Sequence, residues 1–562
     1  MKAVVLGMLV FVFSCKENTD KAASGQKEEK QLAEFIEKYV AKFQPLEEQY
    51  NQTFWDAAAT GSKEKFEQQG RLELALRQLL SDPNEFALLK EIKESGRVKN
   101  AKLKRQLDKL YYAYLQNQID PKLMEQIVEL NNRIQKNYSN YRGTIDGNSV
   151  TMSDIYTILT KEKDSRKREL AWKASKQVGN AIVADLISLV KLRNDAAKNV
   201  GFDNYHTMSV TASEQSIEEL DDIFAQLDKL TREPFAKMKA ELDQTLAQSY
   251  GISVSQLQPW HYHDPFFQRV PLVYEVDLDS YYSKVDVKEI AQAYYAGIGL
   301  PVDDILADSD LYEREGKYPH AFGHSMDRKG HSRILANLQN TERWMETTLH
   351  ELGHALYSKF HDTNEPYLLR EPAHAFTTEA AAMFFGRLSQ NPSWMQKMLG
   401  LTEQEKDSIA PVIGKYQRCQ QLIFSRWVLV MYNFEKQFYA NPDQDLNNLW
   451  WLLVEKYQLV NRPPGPVDAG WASKLHFVQA PCYYHNYMLG ELLASQWHSS
   501  FVHNIFKLES DKSVSYVGDK RIGEFFREKV FAPGAVYHWN DMIEKCTGEK
   551  LTPKYYVEQF VK

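Results

Sequence analysis

Thr347-Thr348-Leu349-His350-Glu351-Leu352-Gly353-His354-Ala355-Leu356-Tyr357 is the stretch around which the chain is organised. It contains H-E-x-x-H. On a helix, residues four apart share a face, so His350 and His354 aim two imidazoles at one point. Glu351 sits beside that point but cannot join it from the same turn. Two neutral imidazoles suit Zn²⁺, and a neighbouring carboxylate can take a proton from a metal-bound water. Met345, Leu349, Leu352, Leu356 and Phe360 form the apolar stripe of a helix that Asn340 or Thr341 can cap.

A catalytic zinc site needs a third protein ligand. The segment after the motif offers Glu365, Glu371, His374 and Glu379. Glu379 stands in Thr377-Thr378-Glu379-Ala380-Ala381-Ala382-Met383-Phe384-Phe385, which reads as a buried helix. A carboxylate there is costly unless it is paired or bound to metal, so Glu379 is the expected third ligand. Glu365 and Glu371 flank prolines and are expected to be solvated loop residues. The metal set is therefore His350, His354 and Glu379, with one Zn²⁺ per chain.

The ends and composition bound the rest. Of 562 residues, 43% are hydrophobic and 25% charged, an ordinary globular balance. The net charge of −7 and the lack of a basic stripe exclude nucleic acid as an expected partner. Lys2 precedes the apolar run Ala3 to Phe13, then Ser14-Cys15. That layout predicts a signal peptide over 1–15 with a lipobox at Cys15. Such a chain is exported and lipid-anchored to a bacterial membrane, in the periplasm or at the cell surface. The polar stretch 16–30 reads as a flexible tether. Cys419, Cys482 and Cys546 form no C-x-x-C and are expected mostly as buried free thiols.

Between these features the periodicity is helical. It runs over 31–137, then 155–199 up to Gly201, then 217–250, then 287–298. A turn cluster with Asp146-Gly147 interrupts it, and 251–278 is irregular and aromatic. His331 to Gln339 reads as one of few strands. The expected fold is mostly α with minimal β-sheet, and 31–562 is expected to be a single catalytic domain, acting as a monomer.

The set of motifs resembles the angiotensin-converting-enzyme family of zinc peptidyl-dipeptidases, and more distantly the oligopeptidase F and thimet group. The resemblance covers nearly the whole chain after the tether. It is strongest in Ser309 to Lys317, Pro319-His320-Ala321-Phe322, the motif helix, Arg370-Glu371-Pro372-Ala373 and Lys474 to Gly490. It implies a gluzincin peptidase of two helical lobes around a deep cleft. It also implies His350, His354 and Glu379 as zinc ligands and Glu351 as general base. His320 and Ala321 would contact the peptide. Lys474 and Tyr484 would hold its terminal carboxylate, while His476 and Tyr487 would stabilise the oxyanion. One such donor is worth about 2.7–4 kcal/mol.

Departures from the family pattern bear on these roles. The gap from His476 to the tyrosines is one residue longer, so Tyr483 competes with Tyr484. Asn486 stands where an arginine linked to chloride activation is common. Met383 replaces an Asp one turn after Glu379. The expected activity is release of C-terminal dipeptides from short peptides by attack of a zinc-bound water. The alternative is an oligoendopeptidase with the same chemistry. The intact ligand set argues against a third reading, a non-enzymatic peptide-binding lipoprotein.

Overall fold

The computed structural model describes residues 5–274, 276–466, 468–511 and 514–561, with side chains described from Ser24 onward. Residues 1–4 and the side chain of Cys15 lie outside the described set, and with them the signal and lipobox reading. The described residues form twenty-two α-helices and two antiparallel hairpins. The mostly-α expectation holds. Among the described residues no helix is long and apolar enough to cross a membrane.

The long helices begin where a short polar side chain can take up free amides. Ser216 accepts from Glu219 at the start of Ile217–Tyr250, and Asp164 accepts from Arg166 and Lys167 at the start of Ser165–Asn199. The Asp146-Gly147 turn joins the strands Gly143–Ile145 and Asn148–Val150 into a hairpin, where the sequence indicated only a turn cluster. The second hairpin pairs Phe322–Ser325 with Ser332–Leu335; only the latter lies in the expected strand region, and the partner strand was not foreseen.

The main core gathers helices from Leu130 to Val561. The N-terminal helices have their own small core of Leu32, Ile36, Leu89, Leu107, Leu110 and Tyr114, closed by Tyr367 and Leu368. Trp55, Ala58 and Ala59 seat the first helix on Met326 and Leu335, beside the second hairpin. That hairpin in turn lies against the H-E-x-x-H helix. Residues 24–30, expected in the tether, belong instead to the helix Val5–Thr60. Glu29 accepts from the amides of Lys99 and Asn100, and Glu28 pairs with Arg97.

Glu365 and Glu371 are partly buried and ion-paired rather than freely solvated. Glu365 pairs with Lys102 at 2.7 Å. Glu371 pairs with Lys109 at 2.6 Å and Arg328 at 3.2 Å. Burial pushes the Glu371 carboxyl up, but Lys109 and Arg328 outweigh it and hold the group at about 2. Arg328 continues to Glu47 at 2.7 Å, and Lys109 to Glu214, which also pairs with Arg105. This chain of charges ties the N-terminal helices to the loop between the motif helix and Glu379. Cys419, Cys482 and Cys546 are buried free thiols.

Candidate metal centre and substrate wall

The H-E-x-x-H helix spans Glu342–Lys359, and Thr341 caps it by accepting from the Trp344 amide at 3.3 Å. Met345, Leu349, Leu352 and Leu356 are fully buried, which fixes the helix's rotation. Tyr295 reinforces it by donating its hydroxyl to the Leu349 carbonyl at 2.6 Å. His350 and His354 then share the opposite face, with their Nε2 atoms 3.2 Å apart.

Glu379 comes from the helix Ala375–Gly386. The two helices approach closely because Gly353 lies at the crossing. A Cβ there would sit 2.9 Å from Ala382 Cα, so no larger residue fits without separating the helices. The Glu379 carboxylate reaches within 3.8 Å of His350 Nε2 and 3.9 Å of His354 Nε2. Ligands about 2.0–2.1 Å from a tetrahedral zinc are about 3.3 Å apart, so the triangle needs only slight contraction.

The protonation chemistry also fits a metal. Burial lowers His350 to about 4, and burial with the neighbouring His350 pushes His354 well below its ordinary range, so both imidazoles are neutral, as ligands must be. Thr378 Oγ1 lies 2.7 Å from His354 Nδ1. As acceptor it holds the ring proton there and turns the Nε2 lone pair to the site. Met383 offers no such contact to the histidines; its sulfur lies 3.1 Å from the Cβ position of Gly490. Two neutral imidazoles converging with one carboxylate form a group that could hold a metal ion, and they are the donor chemistry of Zn²⁺.

Glu351 faces the second hairpin. The Gly323 amide donates to its Oε2 at 2.8 Å. Burial raises the carboxyl to about 8; the Gly323 bond opposes this, while Glu379 and Glu346 add to it. A carboxylate so raised holds a proton readily, as a general base must. Ala321 and exposed His320 lead directly into the strand that begins at Phe322. The His320 ring lies 5.5 Å from Tyr318.

A second group forms on the other wall. Lys474 follows the turn Gly470–Ser473 and donates to Gln268 Oε1 at 2.7 Å. Its ammonium lies 5.1 Å from the Trp427 ring, 5.4 Å from Tyr484 and 5.7 Å from Phe266. Burial pushes the Lys474 amine down to about 8, with Asp264 opposing and Arg269 assisting. His476, lowered to about 4 by burial and Lys474, packs its ring 4.9 Å from Tyr484. The Tyr484 hydroxyl accepts from Trp427 Nε1 at 2.7 Å.

The two adjacent tyrosines thus diverge. Tyr484 stands with Lys474, whereas burial and the Glu379 charge raise the Tyr483 phenol on the metal side. Tyr487 touches both, at 5.4 Å ring to ring, and the same two causes raise its phenol. It stays protonated and able to donate. Its helix, His485–Ser499, lies close to Glu379 at Gly490, where an added Cβ would sit 3.3 Å from the Glu379 Cβ. Asn486 points away and accepts from Gln215 at 2.9 Å.

Sequence reasoning missed Gln268, Gly323 and Thr378. The aromatic run Trp260 to Phe267 hinted at a wall, but no signal singled out Gln268. Thr378 was visible only as the neighbour of Glu379.

Two family models match the chain. Residues 308–562 match peptidase family M3, and residues 26–262 match angiotensin-converting enzyme. No curated protein matches the chain.

Proposed function

Because the chain belongs to the angiotensin-converting-enzyme-like gluzincin peptidases and is a zinc metallopeptidase, we propose that it releases dipeptides from the C-termini of short peptides. The observation that carries this reading is Lys474. It is a largely buried ammonium in an aromatic box, held by a neutral amide, with no carboxylate within ion-pair distance among the described residues. A peptide's terminal carboxylate would supply the missing partner. Tyr484 and Tyr487 lead from Lys474 back toward Glu379, so a short segment beyond the scissile bond fits between them.

His350, His354 and Glu379 would hold a zinc ion, which when bound would supply Lewis acidity and lower the pKa of a water. Glu351 takes a proton from the attacking water and returns it to the leaving amine. The Gly323 amide keeps the Glu351 carboxylate turned to its place beside the histidines. Tyr487 donates to the developing oxyanion, and His476 supports the same side through Tyr484. His320 and the Ala321 backbone line the peptide's path along the hairpin.

The oligoendopeptidase alternative stays in view because the catalytic half matches family M3. The two readings part on the cut position. Mass spectrometry of a free-acid peptide and its C-terminal amide should show sequential loss of dipeptides from the acid and slow cleavage of the amide. Equal internal cleavage of both would favour the oligopeptidase. The signal-like run ending at Cys15 supports an exported, lipid-anchored location.

A further inference from the structure

Behind Phe266 lies a separate cavity of about 280 Å³. Its walls include Trp172, Trp450, Trp451, Phe266 and Pro463, with the carboxylate of Asp468 also on the lining. Lys176, from the helix Ser165–Asn199, stands in this wall. Its stem packs on Gly470, whose Cβ position lies 3.2 Å from Lys176 Cδ. Its ammonium lies 3.1 Å from the centre of Phe266 and 5.4 Å from Trp172.

Lys176 is 3% exposed, and its Nζ has no hydrogen-bond partner among the described residues. A buried charge without a partner is costly, and burial pushes the amine well below its ordinary range. The cation–π contact with Phe266 offsets part of that cost. The peptidase chemistry makes no use of Lys176. An apolar side chain would fill the same space among aromatic neighbours without the cost. The unpaired donor therefore points to a group that enters the cavity.

We propose that this cavity binds a small apolar monocarboxylate, with the carboxylate on Lys176 Nζ and the aryl or alkyl body among the tryptophans. An entering carboxylate would favour the protonated Lys176 and pair with it, and the ring-lined walls would select an apolar body. A dry cavity of about 150 Å³ can hold benzene, so this one has room for a ring and a short chain. Phe266 carries Lys176 on one side and faces Lys474 at 5.7 Å, so the ligand would sit one ring away from the proposed peptide-carboxylate group without being part of it.

The test uses the full chain, with tryptophan fluorescence and calorimetry reporting on 4-phenylbutyrate and its neutral amide, 4-phenylbutanamide. The acid should bind the wild type at least tenfold more tightly than the amide. Lys474→Met should keep that preference, which separates the cavity from the substrate wall. Lys176→Met should weaken the acid at least tenfold and make acid and amide equal. Removing an unpaired buried charge should not unfold the protein; should this variant nonetheless misfold, the acid–amide comparison in the Lys474→Met protein decides alone. Equal binding of acid and amide to the wild type would overturn the proposal. So would no binding at millimolar concentration, or a preference that vanishes with Lys474→Met and survives Lys176→Met.

Discussion

The backbone amide of Gly323 donates to the carboxylate of Glu351 across 2.8 Å, joining the edge of a two-stranded hairpin to the residue beside His350 in the candidate metal group. The strand that would carry peptide is therefore in register with the base that would act on it. Glu351→Gln keeps the side chain's shape and its acceptor oxygen for Gly323 but removes its basicity. It should keep its zinc and its fold while kcat falls by about 10²–10⁴. Near wild-type turnover in the purified variant would remove Glu351 as the base.

Thr378 is a residue that the sequence alone did not bring forward. Its contact with His354 Nδ1 would orient that imidazole for a metal, which needs it in one tautomer. Thr378→Val preserves shape and deletes that contact. Zinc affinity should fall by about 10–100-fold, measured by competition with a chelator. Alanine at His350, His354 or Glu379 should abolish stoichiometric zinc, measured by elemental analysis. Unchanged affinity in Thr378→Val would mean that His354 is oriented by other means.

The convergence of His350, His354 and Glu379 was legible because the pattern is local. His350, Glu351 and His354 lie within one turn, and the apolar stripe around them fixes which face they share. Glu379 was legible as a carboxylate in an otherwise apolar helix. Glu365 and Glu371 were misread because their partners come from far along the chain: Lys102, Lys109 and Arg328 meet them only after folding. The same holds for Gln268, which reaches Lys474 across more than 200 positions, and for Glu28 and Glu29, which Arg97 and the Lys99 amide draw into structure. Composition made 16–30 look like a tether because charge spacing says nothing of which distant charges will face it.

Glu371 gives the pH prediction. Its carboxyl is held at about 2, below its unfolded value near 4.5, by Lys109 and Arg328. A depressed carboxyl stabilises the fold above the unfolded value, and that contribution is lost as pH falls from about 4.5 through about 2. Glu371→Gln should lower stability at pH 7 by about 3 kcal/mol, since it also leaves two cations less well paired. Its stability should vary less than the wild type's between pH 4.5 and 2 in denaturant titrations. Parallel pH curves for the two proteins would contradict the assignment.

Cys15 decides the proposed location. One acyl chain gives only marginal membrane binding, whereas several anchor stably. Cys15→Ser should shift the protein from the membrane to the soluble fraction of the cells that make it. Persistent membrane partitioning would rule out a lipid anchor at this residue.

The central claim is that Lys474 reads the peptide's C-terminal carboxylate, and a double-mutant cycle tests it most directly. The four measurements are kcat/KM of wild type and Lys474→Ala on one peptide as free acid and as C-terminal amide. Loss of a charge-assisted hydrogen bond costs about 1.5–3 kcal/mol, so either change alone should lower kcat/KM by roughly ten- to a hundredfold. Both together should cost little more than one, because they remove the same interaction. Two independent losses that multiply would contradict the account, as would equal cleavage of acid and amide by the wild type.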